Sequence, residues 1–270
     1  FPGSHGLWLV SDSAVWLINR DGDIIRKITV AFDLVFPPVE NDGLLYLLGQ
    51  SRQEARRPLS GEIIWQSSLT IDPSVAPAWG VSCLFCQEDT GPIISLDKKT
   101  GRVSEVYRPS EKVSLLGSSP DDNALLIGTE TGRIIKYNLH RQKTSWSVNL
   151  GSQRVEHLVI KGKNLYVLTS GAVLYKLSLA RGHLQNWQAI PARPGGRPLI
   201  FSDEIIVPSL DNVLFGFEPN SLQNSSKTIF PAELATELVL RPTAGQSGAR
   251  MIGSAPASRR RATSSGPNGS

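Results

Sequence analysis

The chain has 270 residues, 40% hydrophobic and 19% charged, with 24 glycines and 18 prolines; that suffices for one large domain or two small ones and leans toward a turn-rich fold. No run of eighteen or more apolar residues occurs, which excludes a spanning helix, and the opening FPGSHGLWLV lacks the charged and apolar regions of a signal peptide. The net charge of +4 sits at one end: Arg241, Arg250, Arg259, Arg260 and Arg261 are joined by no acidic residue, so residues 1–240 carry −1 once those five are subtracted, and no nucleic-acid partner is expected.

Taken in chain order, the apolar runs and turns repeat. GLWLVSDSAVWLINRDGDII gives a strand over 7–10, a second strand, a turn ending on Gly22 and a further strand. GLLYLLGQSRQEARRPLSGEIIW follows the same plan around Gly61, except that SRQEARRPL is too polar for a buried strand and is expected to be exposed or looped out. The third unit, with SLDKKTGRV, carries Gly101; the fourth, ALLIGTETGRIIKYNLHRQKTSW, places Gln142 in the glycine slot. NLYVLTSGAVLYKLSLARGHLQNW supplies Gly182, and EIIVPSLDNVLFGFEPNSL puts Leu222 there. The marker spacings from 22 to 61, 101, 142, 182 and 222 are 39, 40, 41, 40 and 40.

Four short strands per unit at a period near forty is the pattern of a β-propeller blade. The apolar runs are continuous, as strands covered on both faces require. The expected fold is therefore all-β: a propeller of four-stranded blades, six recognisable, with a partial or missing seventh. FPAELATELVLRPT and ARMIGSA could supply two strands of the last one. The propeller is expected over 1–240, and a degenerate repeat with a disordered basic tail over 241–270. In that tail RRRAT, 259–263, fits a basic-directed phosphorylation site only weakly.

Cys83 and Cys86 lie three apart in SCLFCQ. On a strand they point to opposite faces and cannot pair, and no second Cys/His pair stands at zinc-ligand spacing, so both are expected as core thiols.

The turn SLDKKTGRV resembles the repeat of the PQQ-type, quinoprotein-like propellers, A-x-D-x-x-T-G-x-x-x-W. Asp97, Thr100 and Gly101 match that pattern, Ser95 stands for the alanine and Glu105 for the tryptophan. Trp65 and Trp146 fill the tryptophan position four after Gly61 and Gln142, and Trp187 falls one residue late after Gly182. The chemistry of the motif is structural: an Asp can hold backbone N–H groups two or three residues on, Gly supplies a positive φ, and a Trp can staple neighbouring blades. Gly22, Gly61, Trp65, Asp97, Thr100, Gly101, Trp146, Gly182 and Trp187 are accordingly assigned to blade turns and docking.

Quinoprotein dehydrogenases carry eight blades, adjacent half-cystines and a hard cation in a carboxylate and amide site. Here no adjacent cysteines and too few residues for eight blades are found, and the acidic residues are scattered rather than gathered into a hard-cation cluster. His5, His140, His157 and His183 are scattered, GTETG and ARPGG precede no helix, and no G-x-S-x-G elbow occurs. No catalytic, cofactor-binding or metal-ligating residue is assigned, and no cofactor is expected. The resemblance to the BamB-like non-enzymatic members implies a monomeric protein-interaction scaffold, extracytoplasmic and involved in cell-envelope assembly, with another protein as partner. An extracytoplasmic sensor propeller is the alternative, on the similarity of GLWLVSDSAVWLINRDG and GTETG to the repeats of such domains.

Overall fold

A computed structural model of the protein describes residues 2–11, 14–89, 91–121 and 123–229, together with the backbone of 240–242 and 249–251. Every regular element in it is a strand, and six four-stranded antiparallel sheets follow one another in chain order, each strand paired with its sequence neighbour. The fold is a β-propeller. Blade 1 runs from Pro2–Gly3 to Ile24–Thr29, blade 2 from Val39–Asn41 to Ile63–Ser67, blade 3 from Ala78–Trp79 to Val103–Tyr107, blade 4 from Val113–Ser118 to Lys143–Asn149 and blade 5 from Val155–Lys161 to Leu184–Ala189. Blade 6 runs from Leu199–Phe201 to Asn224–Ile229, and Leu240–Pro242 pairs with Ala249–Met251 in a two-stranded sheet. The tail expected to be disordered, with RRRAT in it, lies outside the described residues.

The chain divides into two compact units, Phe1–Ile190 with the first five blades and Pro191–Ser270 with the rest. The expected change of character near residue 240 falls within the second unit.

In the first unit the second strands are the most apolar, and successive side chains point to alternate faces. In blade 2, Leu45 and Leu47 join Trp8, Leu17 and Ile28 of blade 1 in one core cluster, while Tyr46 and Leu48 join Leu84, Ile94 and Leu96 of blade 3 in the next. The seam between blades 3 and 4 is filled by Phe85, Ile93, Leu125 and Ile127, and that between blades 4 and 5 by Leu126, Ile134, Leu158 and Val167. Blades 2, 3 and 4 thus bury both faces against their neighbours, which is why the sequence shows unbroken apolar runs there.

The third strand of blade 2 corrects an expectation. Gln53–Arg56 is a paired strand, and Gln53, Glu54 and Ala55 are all 0% exposed. Ala55 lies in the blade 2–3 core, so Glu54 and Arg56 project toward blade 1. There the Glu54 carboxylate receives Arg52 Nε at 2.8 Å on one oxygen and Arg56 Nε at 2.7 Å on the other, with both terminal guanidinium nitrogens also in range, at 2.8 and 2.6 Å. Arg52 continues to Gln66 Oε1 at 2.9 Å and lies over the Phe32 ring. Gln53 is satisfied by the Gly49 and Leu69 carbonyls, both at 3.0 Å. A segment polar enough to look solvated is buried because its carboxylate is paired on both oxygens, the surplus positive charge of Arg52 reaches solvent, and its amide finds backbone partners.

Cys83 and Cys86 share the strand Cys83–Gln87 and are free thiols, Cys86 buried and Cys83 half-buried. Burial pushes the Cys86 thiol up to about 12.

Candidate functional site

Two regions of the first unit concentrate polar chemistry: the turns between third and fourth strands, and the opposite edge, where the blade-connecting segments meet the hairpins between second and third strands.

At the turn of blade 3, Asp97 Oδ1 accepts the Lys99 and Thr100 N–H groups at 3.0 and 2.8 Å and the Thr100 hydroxyl at 2.8 Å. Gly101 N–H closes the turn on the Asp97 carbonyl at 2.9 Å, with φ at +70°. The same closure joins Gly61 to Arg57, Gly182 to Ser178 and Leu222 to Glu218. The slot is left-handed even where glycine is missing, with φ at 49° in Gln142 and 55° in Leu222, so geometry rather than residue type defines the repeat.

The bonds from Thr100 hold the Asp97 carboxyl below its ordinary value of 3.8. A lowered folded value means the unfolded chain takes up the proton first as pH falls; the stabilisation is complete above the ordinary value and is lost as pH drops through the folded one. Asp97→Asn is therefore expected to flatten the fall in melting temperature between pH 5 and pH 3 relative to the unaltered protein, measured by circular dichroism. Equal slopes would remove Asp97 from the turn's acid sensitivity.

Large side chains from the fourth strands lie on the turn of the next blade. Trp65 donates its indole N–H to Lys98 O at 2.7 Å, and a Cβ on Gly101 would stand 2.7 Å from the ring. Trp146 repeats this on blade 5, donating to Leu179 O at 3.2 Å, with a Gly182 Cβ also 2.7 Å from its ring. Over Gly61 the place belongs to Arg26, which donates to Ser60 O at 2.5 Å. Gly22 has nothing within 4 Å of such a Cβ and only shapes its turn. At the blade 2–3 seam Lys98, 4% exposed, adds a second clamp through Asn41 Oδ1 at 2.6 Å and Val81 O at 3.0 Å, and Tyr46, pushed up to about 12 mainly by burial, donates to Lys98 O.

Two sequence assignments shift. A one-residue bulge precedes the docking residue in the other blades, at Leu17/Ile18, Ala55/Arg56 and Lys136/Tyr137 among them, but in blade 3 it lies at Ile93/Ile94, away from the turn. Counting four from the glycine therefore misplaces the slot in blade 3. Trp65 pairs with Ala55 and Trp146 with Lys136, and the residue in that register in blade 3 is Ser104, opposite Ser95, not Glu105. In blade 5 the register puts Asn186 opposite Lys176, so Trp187 projects from the other face and is 56% exposed.

At the opposite edge, a cavity of about 280 Å³ opens between blades 3 and 4. Asp72, Gln87, Ser110, Glu111 and Lys112 line it. Gln87 donates to Glu88 O at 3.1 Å and Gly91 O at 2.5 Å, which fixes its amide orientation; its buried Oε1 meets no partner among the described residues. Beside the cavity Glu111 pairs with Arg133 at 3.2 Å and accepts the Thr131 hydroxyl. Glu130 lies 4.0 Å from Lys112 and 3.7 Å from Arg154. These charges come from the connection into blade 4, its hairpin and the connection into blade 5, segments about twenty residues apart. Exposed pairs of this kind add about 0–1 kcal/mol each to stability, so their value lies in the surface they present. Sequence reading missed the cluster: GTETG was read for its glycines, whereas its Glu130 and the preceding SEK, 110–112, were the signal.

No curated protein matches the chain. Among solved structures it is similar to BamB from Moraxella catarrhalis, at TM-score 0.68 and 14% identity over 86% of this chain and 75% of that one. It is also similar to a chain of the Mitotic Checkpoint Complex, at TM-score 0.66 and 13% identity over 84% of this chain and 75% of that one. Identities this low show the fold alone. The likeness to BamB thus bears on the propeller architecture and not on the PQQ-type repeat, and the sequence family that matches is not a PQQ repeat. That family, the CFAP43 N-terminal domain, matches from residue 29 to residue 188, from the end of blade 1 through blade 5. The protein belongs to the CFAP43 N-terminal domain family.

Proposed function

We propose that the protein is a non-enzymatic scaffold that docks another protein on the edge formed by its blade-connecting segments. The observation that carries this is the clustered charge of Glu111, Lys112, Glu130, Arg133 and Arg154 around the blade 3–4 cavity. These residues are held by hydrogen-bonded blades but contribute little to their stability, and a rigid surface of mixed charge suits the recognition of a complementary protein surface. Asp97, Thr100, Gly101, Trp65, Trp146 and Gly182 are proposed as blade cement, since their polar atoms serve turns and seams. The fold likeness to BamB carries the architecture alone, so the scaffold is proposed without a cell-envelope assignment.

Crosslinking in the source cell followed by mass spectrometry tests this. Partner crosslinks are expected at Lys112 and its surroundings, and Glu130→Lys is expected to remove them while leaving the melting temperature within a few degrees. Crosslinks confined to other parts of the chain, or unaffected by Glu130→Lys, would overturn the reading.

A further inference from the structure

At three of the four seams in the first unit a large fourth-strand side chain fills the space above the next blade's turn and donates to a carbonyl there: Arg26 to Ser60 O, Trp65 to Lys98 O and Trp146 to Leu179 O. The seam between blades 3 and 4 differs. In its docking register stands Ser104, small and exposed, because blade 3 carries its bulge at the far end. A cavity of about 290 Å³ remains, walled by Phe85, Val106, Tyr137 and Leu139, with Glu105 and Gln142 among its polar lining. Leu139 lies three residues before Gln142, as Lys98 and Leu179 lie three before Gly101 and Gly182. An apolar wall with a few polar groups, near the lower end of the roughly 300–1,000 Å³ of small-molecule sites, has room for one large side chain.

We propose that this vacant docking slot, on the edge opposite the charged cluster, receives an aromatic side chain, an indole above all, from a protein partner that reaches this edge; the proposal rests on the scaffold role. The fold itself states the preference, since two equivalent slots hold tryptophan. The six tryptophans, at positions 8, 16, 65, 79, 146 and 187, all lie among the described residues, and none of them lines the slot. Gln142 sets the pose. A Cβ at Gly101 would come within 2.7 Å of the Trp65 ring, so the Gln142 side chain bars an indole from lying flush on the turn and directs it against Phe85 and Tyr137. The aromatic wall favours edge or offset ring contacts over aliphatic ones.

Titration of the full chain with N-acetyl-tryptophanamide, followed by amide NMR shifts, tests the slot. Saturable shifts are expected around 82–85, 104–106 and 137–142, with N-acetyl-leucinamide binding about two- to tenfold more weakly. Ser104→Trp, at an exposed position, should fill the slot from within and abolish the shifts. Gln142→Gly, at a left-handed φ that glycine adopts without strain, should preserve the fold and tighten binding at least about threefold. Absence of saturable shifts there, or unchanged binding in a folded Ser104→Trp protein, would overturn the proposal. The crosslinked partner separates the two readings: if it still binds Ser104→Trp with unaltered affinity, the slot falls and the scaffold stands, whereas loss of crosslinks at the charged edge strikes the scaffold.

Discussion

Trp65→Ala is expected to lower the unfolding free energy by about 3–5 kcal/mol, the range for truncating a large buried aromatic side chain. Trp65 is 7% exposed, packs its ring against Tyr46 at a 6.1 Å centroid distance, and closes the blade 2–3 seam over Gly101. Its removal leaves a cavity that neighbouring strands, each tied into its own sheet, cannot collapse to fill. Lys98 O keeps the Tyr46 hydroxyl at 3.2 Å, so the loss is packing more than an orphaned acceptor. Trp65→Phe, which retains most of the ring area, should cost clearly less. Gly101→Val attacks the same contact from below: it adds about 1–3 kcal/mol of backbone strain at φ +70° to about 1–3 kcal/mol of overpacking against the indole. Urea denaturation followed by circular dichroism measures all three. A Trp65→Ala loss under about 1 kcal/mol would show that the seam relaxes freely.

Glu54→Ala is expected to cost a similar amount, about 3–5 kcal/mol, for a different reason. The carboxylate is buried, and without it Arg56, whose side chain is 12% exposed, faces Arg52 with no counter-charge between them. Arg52, at 38%, can turn toward water and soften the penalty, which places the expectation toward the lower end. Replacing Arg52, Glu54 and Arg56 together by leucine removes charge and desolvation cost at once and should be far milder than the single change. If the single variant melts with the unaltered protein, the triad is no support for the blade 1–2 seam.

The repeat was legible because its marker is a backbone requirement. A left-handed residue every 39 to 41 positions, glycine in four of six cases, stands out even where glutamine or leucine takes its place. Arg52-Gln53-Glu54-Ala55-Arg56 misled because hydropathy scores each residue alone. Yet the charges alternate plus, minus, plus at a spacing of two, which on a strand brings all three to one face. Read that way, the segment announces an internal ion triad. The slot at Ser104 has another cause: a one-residue bulge leaves no mark in composition, but it decides which face a side chain joins, whereas Trp187 stands one residue past the slot by plain counting. The charged edge was hidden because its members come from separate turns, each ordinary by itself.

The indole locks reach one blade forward and no further. Stability in such an array accumulates between nearest neighbours, so a lesion in one seam has no direct route to the next. The seam between blades 3 and 4 has no indole lock and is held by its hydrophobic core, by the Tyr107–Tyr137 ring pair at 4.9 Å and by the Ser118 hydroxyl donating to Trp79 O at 2.6 Å. An aromatic group bound at that seam would add its binding free energy to this one boundary and leave the other seams unchanged.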